Sequence, residues 1–491
     1  MELDQETCYR ALVARDVRFD GVFFVGVKTT GIYCRPICTA RTPRLTSCLF
    51  FPSASAAERE GFRPCFRCRP ELSPGQAPVD AASRIAHAVA ARIEAGALND
   101  DGNLETLAEE FQLCSRQVRR VVRKELGVSP VELAQTHRLL LAKRLLSETQ
   151  LPAVEIAFAS GFGSVRRFNA AFRSRYRLSP TQLRRSPKRI ESGPTLKLSL
   201  AYRPPLAWDA MLGFLSVRAT PGVERVSGGK YCRTAVVGGH RGWLCAAPVD
   251  GRSLISVEIS NSLVPALGAV LARLKNLFDL NARPDVIDGR LAADRRLAPL
   301  VARSPGLRVP GAFSSFELAM RAVLGQQVSV RGATTLAGRL AEAFGEPIET
   351  PLGCLSRLSP AAERIAAASR DELCQVGITS ARADCLRALA RSVADGELRL
   401  SPTPAPKAVV GRLLELPGIG QWTAQYIALR ALRWPDAFPG DDLGIRKALD
   451  MPTAREAIAA AESWRPWRAY AAMHLWNSLD TTSTRKKKAK A

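Results

Sequence analysis

The sequence predicts a multidomain α+β protein. A small cysteine-bearing domain leads, an all-α segment follows, and a larger half places an antiparallel-sheet subdomain before a helical core. Three observations carry this. At 491 residues the chain is too long for one hydrophobic core. Two stretches rich in Pro, Gly and Ser interrupt it, "ELSPGQAP" (71–78) and "RRSPKRIESGPT" (184–195). Around these breaks the apolar pattern changes from helical to alternating and back to helical. The boundaries expected are 1–76, 77–190, 195–285, 286–480, and a basic tail at 481–491.

Charge narrows the class of partner. The chain carries 70 Lys+Arg against 46 Asp+Glu, a net +24, with a pI near 10.1. That balance favours a polyanion, and double-stranded DNA is the partner expected. No apolar run approaches a membrane span, so no membrane association is expected. The start, "MELDQETCYR", lacks a basic, apolar leader. A cytoplasmic, nucleoid-associated location follows as an expectation. In a reducing compartment the twelve cysteines are not expected to pair as disulfides. A tight cysteine cluster then reads as metal-binding or catalytic.

One such cluster exists. "YCRPIC" and "RPCFRCRPE" give C-x3-C, a gap, then C-x2-C: Cys34, Cys38, Cys65 and Cys68. Four thiolates on two short segments are enough for a tetrahedral zinc site. The other eight cysteines read as ordinary small apolar residues. Arg35, Arg41, Arg63, Arg67 and Arg69 flank the cluster and suit phosphate oxygens.

The all-α segment contains one unit twice. "NLETLAEEFQLCSRQVRRVVRKELGVSP" reads as helix, turn, helix, with Ser115 as the expected N-cap of the second helix. That helix sets Arg116, Arg119, Arg120, Arg123 and Lys124 against Val118, Val121, Val122 and Leu126. "LPAVEIAFASGFGSVRRFNAAFRSRYRLSP" repeats the pattern. There Ser164 caps, Arg166 and Arg167 lie outside, and Phe168 and Phe172 face inward at i, i+4.

In the C-terminal half, "LKLSLAYRPPL" and "SLISVEIS" alternate as strands, and from about Phe316 the pattern is helical. "RLSPTPAP" reads as a loop inside that region. "LPGIG" is a glycine-punctuated turn between helices, where Gly418 and Gly420 can bring backbone N–H groups close to a phosphate. Asp441 and Asp442 follow at the end of a loop and the start of a helix; for an isolated pair, N-capping is the plain reading. "TRKKKAKA" reads as a solvated, unstructured basic end.

These motifs also carry resemblances. "ARDVRFDGVFFVGVKTTGIYCRPICTAR … GFRPCFRCRPE" resembles the N-terminal domain of the Ada adaptive-response regulators. That likeness implies zinc on Cys34, Cys38, Cys65 and Cys68, with Cys34 as the irreversible acceptor of a methyl group from a DNA methyl phosphotriester. "GFGSVRRFNAAFRSRYRLSPTQLR" is similar to the second unit of the AraC-type DNA-binding domain. Each unit then offers a recognition helix to the major groove, the half-sites about one turn apart. Arg116, Arg119, Arg166 and Arg167 are the expected DNA contacts. An activator of this kind implies RNA polymerase as a partner.

From Leu196 to Trp476 the chain resembles the helix-hairpin-helix DNA glycosylases of the AlkA 3-methyladenine type, through "LAYRPPLAWDAMLGFLSVRA", "FELAMRAVLGQQVS" and "ESWRPWRAYAAMHLW". The resemblance implies Asp442 as the catalytic carboxylate. It makes Trp422, Tyr426, Trp476 and Phe214 walls of a base pocket, and leaves Asp441 structural. Two departures stand out. Trp422 occupies the place where strand-cutting relatives carry a lysine, so a monofunctional enzyme is expected. Gln327 replaces the leucine wedge of some relatives. No Pro-Cys-His-Arg segment is present, so a separate O6-methylguanine transferase is not expected, nor is a small-molecule cofactor. The expected function is an alkylation sensor and transcription activator fused to a glycosylase. The alternatives are a regulator with a silent glycosylase half, or a glycosylase whose zinc is structural.

Overall fold

The computed structural model describes residues 4–16, 19–20, 23–51, 54–70, 81–99, 102–184 and 194–488, with backbone alone at 55 and 480–488. The first expected linker, 71–78, lies outside the described residues, as do 185–193 of the second. The chain forms two compact units, residues 1–90 with 108–130, and residues 91–107 with 131–491.

The first unit opens on the helix Gln5–Ala14, whose N-cap Asp4 accepts hydrogen bonds from the Glu6 and Thr7 amides. Its buried face, Cys8, Ala11 and Leu12, meets Phe23, Val25 and Cys48 in a small core. Four short strands follow: β1 (Phe24–Val27), β2 (Ile32–Cys34), β3 (Cys48–Phe51) and β4 (Arg63–Pro64). Their order is β3-β1-β2-β4. The β2–β4 pairing is parallel, with Tyr33 opposite Pro64. The basic helix Ser115–Leu126 also belongs here, with Val118 and Val122 buried. Its N-cap is Cys114 rather than Ser115: the Gln117 side chain accepts from the Cys114 amide at 3.0 Å. The reciprocal Cys114–Gln117 box starts the helix one residue early, so Ser115 is already helical.

The second unit contains the other helix-turn-helix segment and the whole C-terminal half. Ser164 caps Val165–Tyr176 by accepting from the Arg167 amide at 3.2 Å, and Phe168 and Phe172 are fully buried. Five antiparallel strands run in the order β5-β9-β8-β7-β6: β5 (Thr195–Ala201), β6 (Glu224–Ser227), β7 (Lys230–Val237), β8 (His240–Pro248) and β9 (Leu254–Ser260). Leu196, Leu198 and Leu200 point inward while Lys197 is exposed, the period-two pattern of a one-sided sheet. The buried face shares one core with the helices Trp208–Ser216 and Leu267–Leu277 and with Phe168 and Phe172. β7 and β8 place Cys232 opposite Cys245, and the two form a disulfide. This corrects the reading of all eight remaining cysteines as unpaired apolar residues. Their sequence separation of 13 gave no hint of the register that joins them. Cys114 and Cys354 are exposed, not buried.

The helical core uses Ser315–Leu324, Val330–Phe344, Ser380–Ala394, Pro406–Glu415, Gln421–Arg430, Leu443–Leu449 and Arg468–Lys488. The last helix runs into the stretch expected to be unstructured. Lys and Arg are good helix formers, their charge suits a helix C-terminus, and no Gly or Pro intervenes after Arg468. No helix of the described residues is long and apolar enough to cross a membrane.

His474, 1% exposed on that last helix, is held neutral: burial pushes its pKa down to about 4 from 6.5. The unfolded chain therefore takes up this proton first. Stability from this group is complete above pH 6.5 and is lost as pH falls towards 4, about 3 kcal/mol in all. Urea melts at pH 7 and pH 4.5 should show that loss in the wild type and a smaller one in His474→Phe. Equal losses in both proteins would assign the acid sensitivity elsewhere.

Candidate active site and metal centre

The metal centre arises from the parallel β2–β4 register. Cys34 directly follows Tyr33, and Cys65 directly follows Pro64, so the pairing sets the first cysteine of each pair side by side. The Cys65 amide donates to the Tyr33 carbonyl at 3.1 Å. Each segment then turns back, Cys38 N to Arg35 O at 3.0 Å and Arg69 N to Cys65 O at 2.9 Å. The four Sγ atoms all lie within 4.8 Å of one another, and all four cysteines are buried. Zinc–sulfur bonds of about 2.3 Å give a tetrahedron with edges of roughly 3.8 Å, so the donor set fits zinc. Cys34 at 9% is the most accessible of the four, and Cys68 at 0% the least.

One flanking arginine is not available to phosphate. Arg35 is 1% exposed and ion-paired with Asp20, its Nε donating at 2.7 Å. Burial of a guanidinium demands such a partner, and it lies fifteen residues away in sequence. Arg41, Arg63, Arg67 and Arg69 are exposed, with Arg63 stacked 5.3 Å from the exposed Phe66 ring. Arg116, Arg119, Arg166 and Arg167 are exposed on their respective helices.

In the second unit a cleft of about 1020 Å³ opens beside the glycine turn. Pro406–Glu415 and Gln421–Arg430 form the hairpin. Gly418 has φ +81°, which favours glycine, and a Cβ there would also crowd Cys385 Cβ at 3.1 Å. Its carbonyl accepts from Gln326 Nε2 at 2.8 Å. A Cβ at Gly420 would meet nothing within 4 Å, so that backbone faces open space at a helix N-terminus.

Asp442 is the N-cap of Leu443–Leu449, so the plain reading of this residue is correct as far as it goes. Its Oδ1 accepts from the Ile445 amide and from Trp476 Nε1, both at 2.9 Å, and its Oδ2 accepts from Trp422 Nε1 at 2.8 Å. Both carboxylate oxygens are thus engaged in a fixed orientation at the cleft wall. The loop before it is anchored by Asp436, fully buried between Arg465 and Arg468. Asp441 is exposed.

The expected aromatics come together. Trp422 stacks on Tyr426 with centroids 5.4 Å apart at 15°. Trp476 lies 6.2 Å from Tyr426, and Phe214, buried behind, 6.1 Å from Trp476. Gln327 stands exposed at the cleft with φ +53°, an uncommon conformation for a residue with a side chain.

Sequence reasoning passed over Gln326 and three arginines. Gln326 bridges the Gly418 carbonyl and Thr423 Oγ1, at 2.8 and 3.0 Å. Arg430 donates to the Tyr426 hydroxyl at 2.9 Å, and Arg218 lies 3.8 Å from the Phe214 ring centroid. Both sit four residues after an expected wall residue, a spacing that signals contact on a helix. Burial raises the Tyr426 phenol, but the charges of Arg430, Arg218 and Arg321 outweigh it and hold its pKa below the ordinary value.

Comparison with known proteins agrees with this geometry. Four family models match in succession: the metal binding domain of Ada over 7–71, a helix-turn-helix domain over 107–186, the AlkA N-terminal domain over 197–314, and the HhH-GPD superfamily base excision DNA repair protein over 320–465. The chain is similar in fold to a 3-methyladenine DNA-glycosylase from Archaeoglobus fulgidus, with TM-score 0.51 and 24% identity over 57% of this chain and 97% of that one. It is 36% identical to DNA-3-methyladenine glycosylase 2 of Escherichia coli over 57% of this chain and 96% of the relative. A probable bifunctional transcriptional activator/DNA repair enzyme AlkA of Mycobacterium tuberculosis is 40% identical over 98% of this chain and 97% of its own. Likeness of that extent covers both units at once, and the chain belongs to the family of bifunctional transcriptional activator/DNA repair enzymes of the AlkA type.

Proposed function

We propose that the chain excises alkylated bases from DNA and, through Cys34, reports methylation of DNA phosphates to its own helix-turn-helix units. The observation that carries the first part is Asp442, clamped by two indole N–H groups at the wall of an aromatic cleft beside the hairpin. The test is release of free base from alkylated DNA by the full chain. No release above the spontaneous rate would leave this half a DNA-binding module.

The cleft's residues divide the work. The hairpin turn at Gly418 and Gly420 holds the backbone of the damaged strand. Extruding the nucleotide costs a few kcal/mol, and Gln327 fills the gap it leaves. Trp422, Tyr426 and Trp476 receive a base such as 3-methyladenine, whose positive charge suits electron-rich rings by about 0.5–2 kcal/mol. As the glycosidic bond breaks, its electrons leave with the base and the sugar becomes oxocarbenium-like. Asp442 stabilises that charge and orients the water that attacks it. No amine stands at Trp422, so this is hydrolysis without a Schiff base.

At the metal centre, zinc keeps its cysteine ligands as thiolates when bound. The Cys34 sulfur attacks the methyl carbon of a phosphotriester. An S–C bond forms, the C–O bond breaks, and the phosphodiester anion leaves. Arg41, Arg63, Arg67 and Arg69 supply the phosphate contacts. Four thiolates on a divalent ion carry a formal charge of minus two, and methylation lowers it to minus one. Removing one repulsion from a phosphate about 4 Å away is worth about 1 kcal/mol in water and more when desolvated. DNA affinity should therefore rise about tenfold after methylation. With RNA polymerase as partner, that gain makes the protein an activator. The measurement is operator affinity before and after reaction with methylated DNA, across a salt titration, with Cys34→Ser as control. Equal affinities would remove the charge switch even where mass spectrometry finds S-methyl-Cys34.

A further inference from the structure

Behind the aromatic wall lies a second, much smaller cavity of about 40 Å³. Its charged lining is four guanidiniums, Arg218, Arg233, Arg321 and Arg430, and two carboxylates, Glu224 and Glu317. Four positive and two negative groups leave a net +2. Arg233 meets both carboxylates, Glu317 at 2.6 Å and Glu224 at 3.6 Å. Arg430, 4% exposed, is met instead by the carbonyls of Pro310 and Gly311 and the Tyr426 hydroxyl, at 2.8–3.0 Å. Arg321 donates through Nη2 to Thr334 Oγ1 at 2.7 Å, while its Nη1 is buried without a hydrogen-bond partner.

The charge of Arg430 is buried without a carboxylate partner, which is costly, and the buried Arg321 Nη1 without an acceptor adds to the cost. The cavity has room for a halide-sized ion with a water or two, and none for a nucleotide. We propose that it binds a small monovalent anion, chloride in the cell, with Arg321 Nη1 as its principal donor. One anion answers both defects, accepting from the orphaned Nη1 and lowering the net charge from +2 to +1.

The consequence reaches the base pocket. Arg218 and Arg321 line the cleft as well as the cavity, and Arg430 lies 5.1 Å from the Phe214 ring and 5.7 Å from that of Tyr426. The aromatic walls offered to a cationic base are thus backed by guanidiniums that repel it. The anion screens them, so it favours charged bases over neutral ones. This coupling rests on the glycosylase reading; the anion site itself does not.

The site is tested directly by crystals of the full chain grown in bromide, with an anomalous peak expected beside Arg321 Nη1. In solution, bromide resonance broadening should saturate for the wild type and weaken for Arg321→Met. Water alone in the cavity, with unsaturated broadening, overturns the proposal. Coupling is read by single-turnover release of 3-methyladenine in chloride and in glutamate at equal ionic strength. Chloride should accelerate it about fivefold or more, the lower end of usual coupling. A bromide peak with equal rates leaves the site and removes its coupling. No base release in either salt counts against the glycosylase reading, and the bromide peak still decides the site.

Discussion

Asp442→Asn is expected to slow single-turnover base release by about 10²–10³, with DNA affinity unchanged. The magnitude is that of removing one well-placed electrostatic stabiliser from a transition state. The geometry makes the substitution unusually clean. Asparagine is as good an N-cap as aspartate, so Leu443–Leu449 keeps its start. One amide oxygen still serves the Ile445 amide and Trp476 Nε1. The amide nitrogen, however, then faces Trp422 Nε1, donor against donor, where Oδ2 had accepted at 2.8 Å. The variant thus loses its charge and one of three orienting bonds while the pocket stays folded. Asp441→Asn is the control: that residue is exposed and accepts from neither indole, so its rate should match the wild type. A larger loss from Asp441→Asn would shift the catalytic assignment by one residue.

The two centres differed in how readable they were. The cysteine quartet is legible because metal ligation fixes residue type and local spacing together. The structure that unites its halves is not legible. β4 has two residues, one of them proline, and no periodicity announces a strand so short. The misreading of Arg35 has a related cause. The other arginines that flank the cysteines point to phosphate, but the partner of Arg35, Asp20, arrives through the fold. In the cleft, motif and spacing marked Asp442, Trp422 and Tyr426 separately. That the indoles of Trp422 and Trp476 clamp the carboxylate was hidden, because those partners lie 20 and 34 residues from it. The i, i+4 pairs Phe214–Arg218 and Tyr426–Arg430 were within reach of sequence reasoning. They were passed over because an arginine beside a pocket for cations looks like surface charge until its burial is known.

Metal removal is expected to have the largest effect of all. Cys38→Ser, or chelation, should release zinc and unfold the first unit's sheet while base release by the second unit persists. The apolar cluster that includes Phe23 and Val25 is small, six buried residues among those described. The strands have 4, 3, 4 and 2 residues. A sheet of that size is marginal without a staple. Zinc held by four thiolates supplies apparent binding free energy of about 10–16 kcal/mol, all of it folding energy when the site exists only in the folded state. Losing one ligand also forces the other three sulfurs to take up protons and gives them no bond in place of the metal's. The collapse should begin at β4, the two-residue strand beside which the Cys65 amide donates to the Tyr33 carbonyl. The measurements are zinc content by elemental mass spectrometry and hydrogen exchange at the Tyr33 and Cys65 amides. The base-release rate is followed in parallel. A zinc-free chain with unchanged protection at Cys65 would show that the sheet stands on its own apolar contacts. The metal would then be a reagent for Cys34, not a part of the fold.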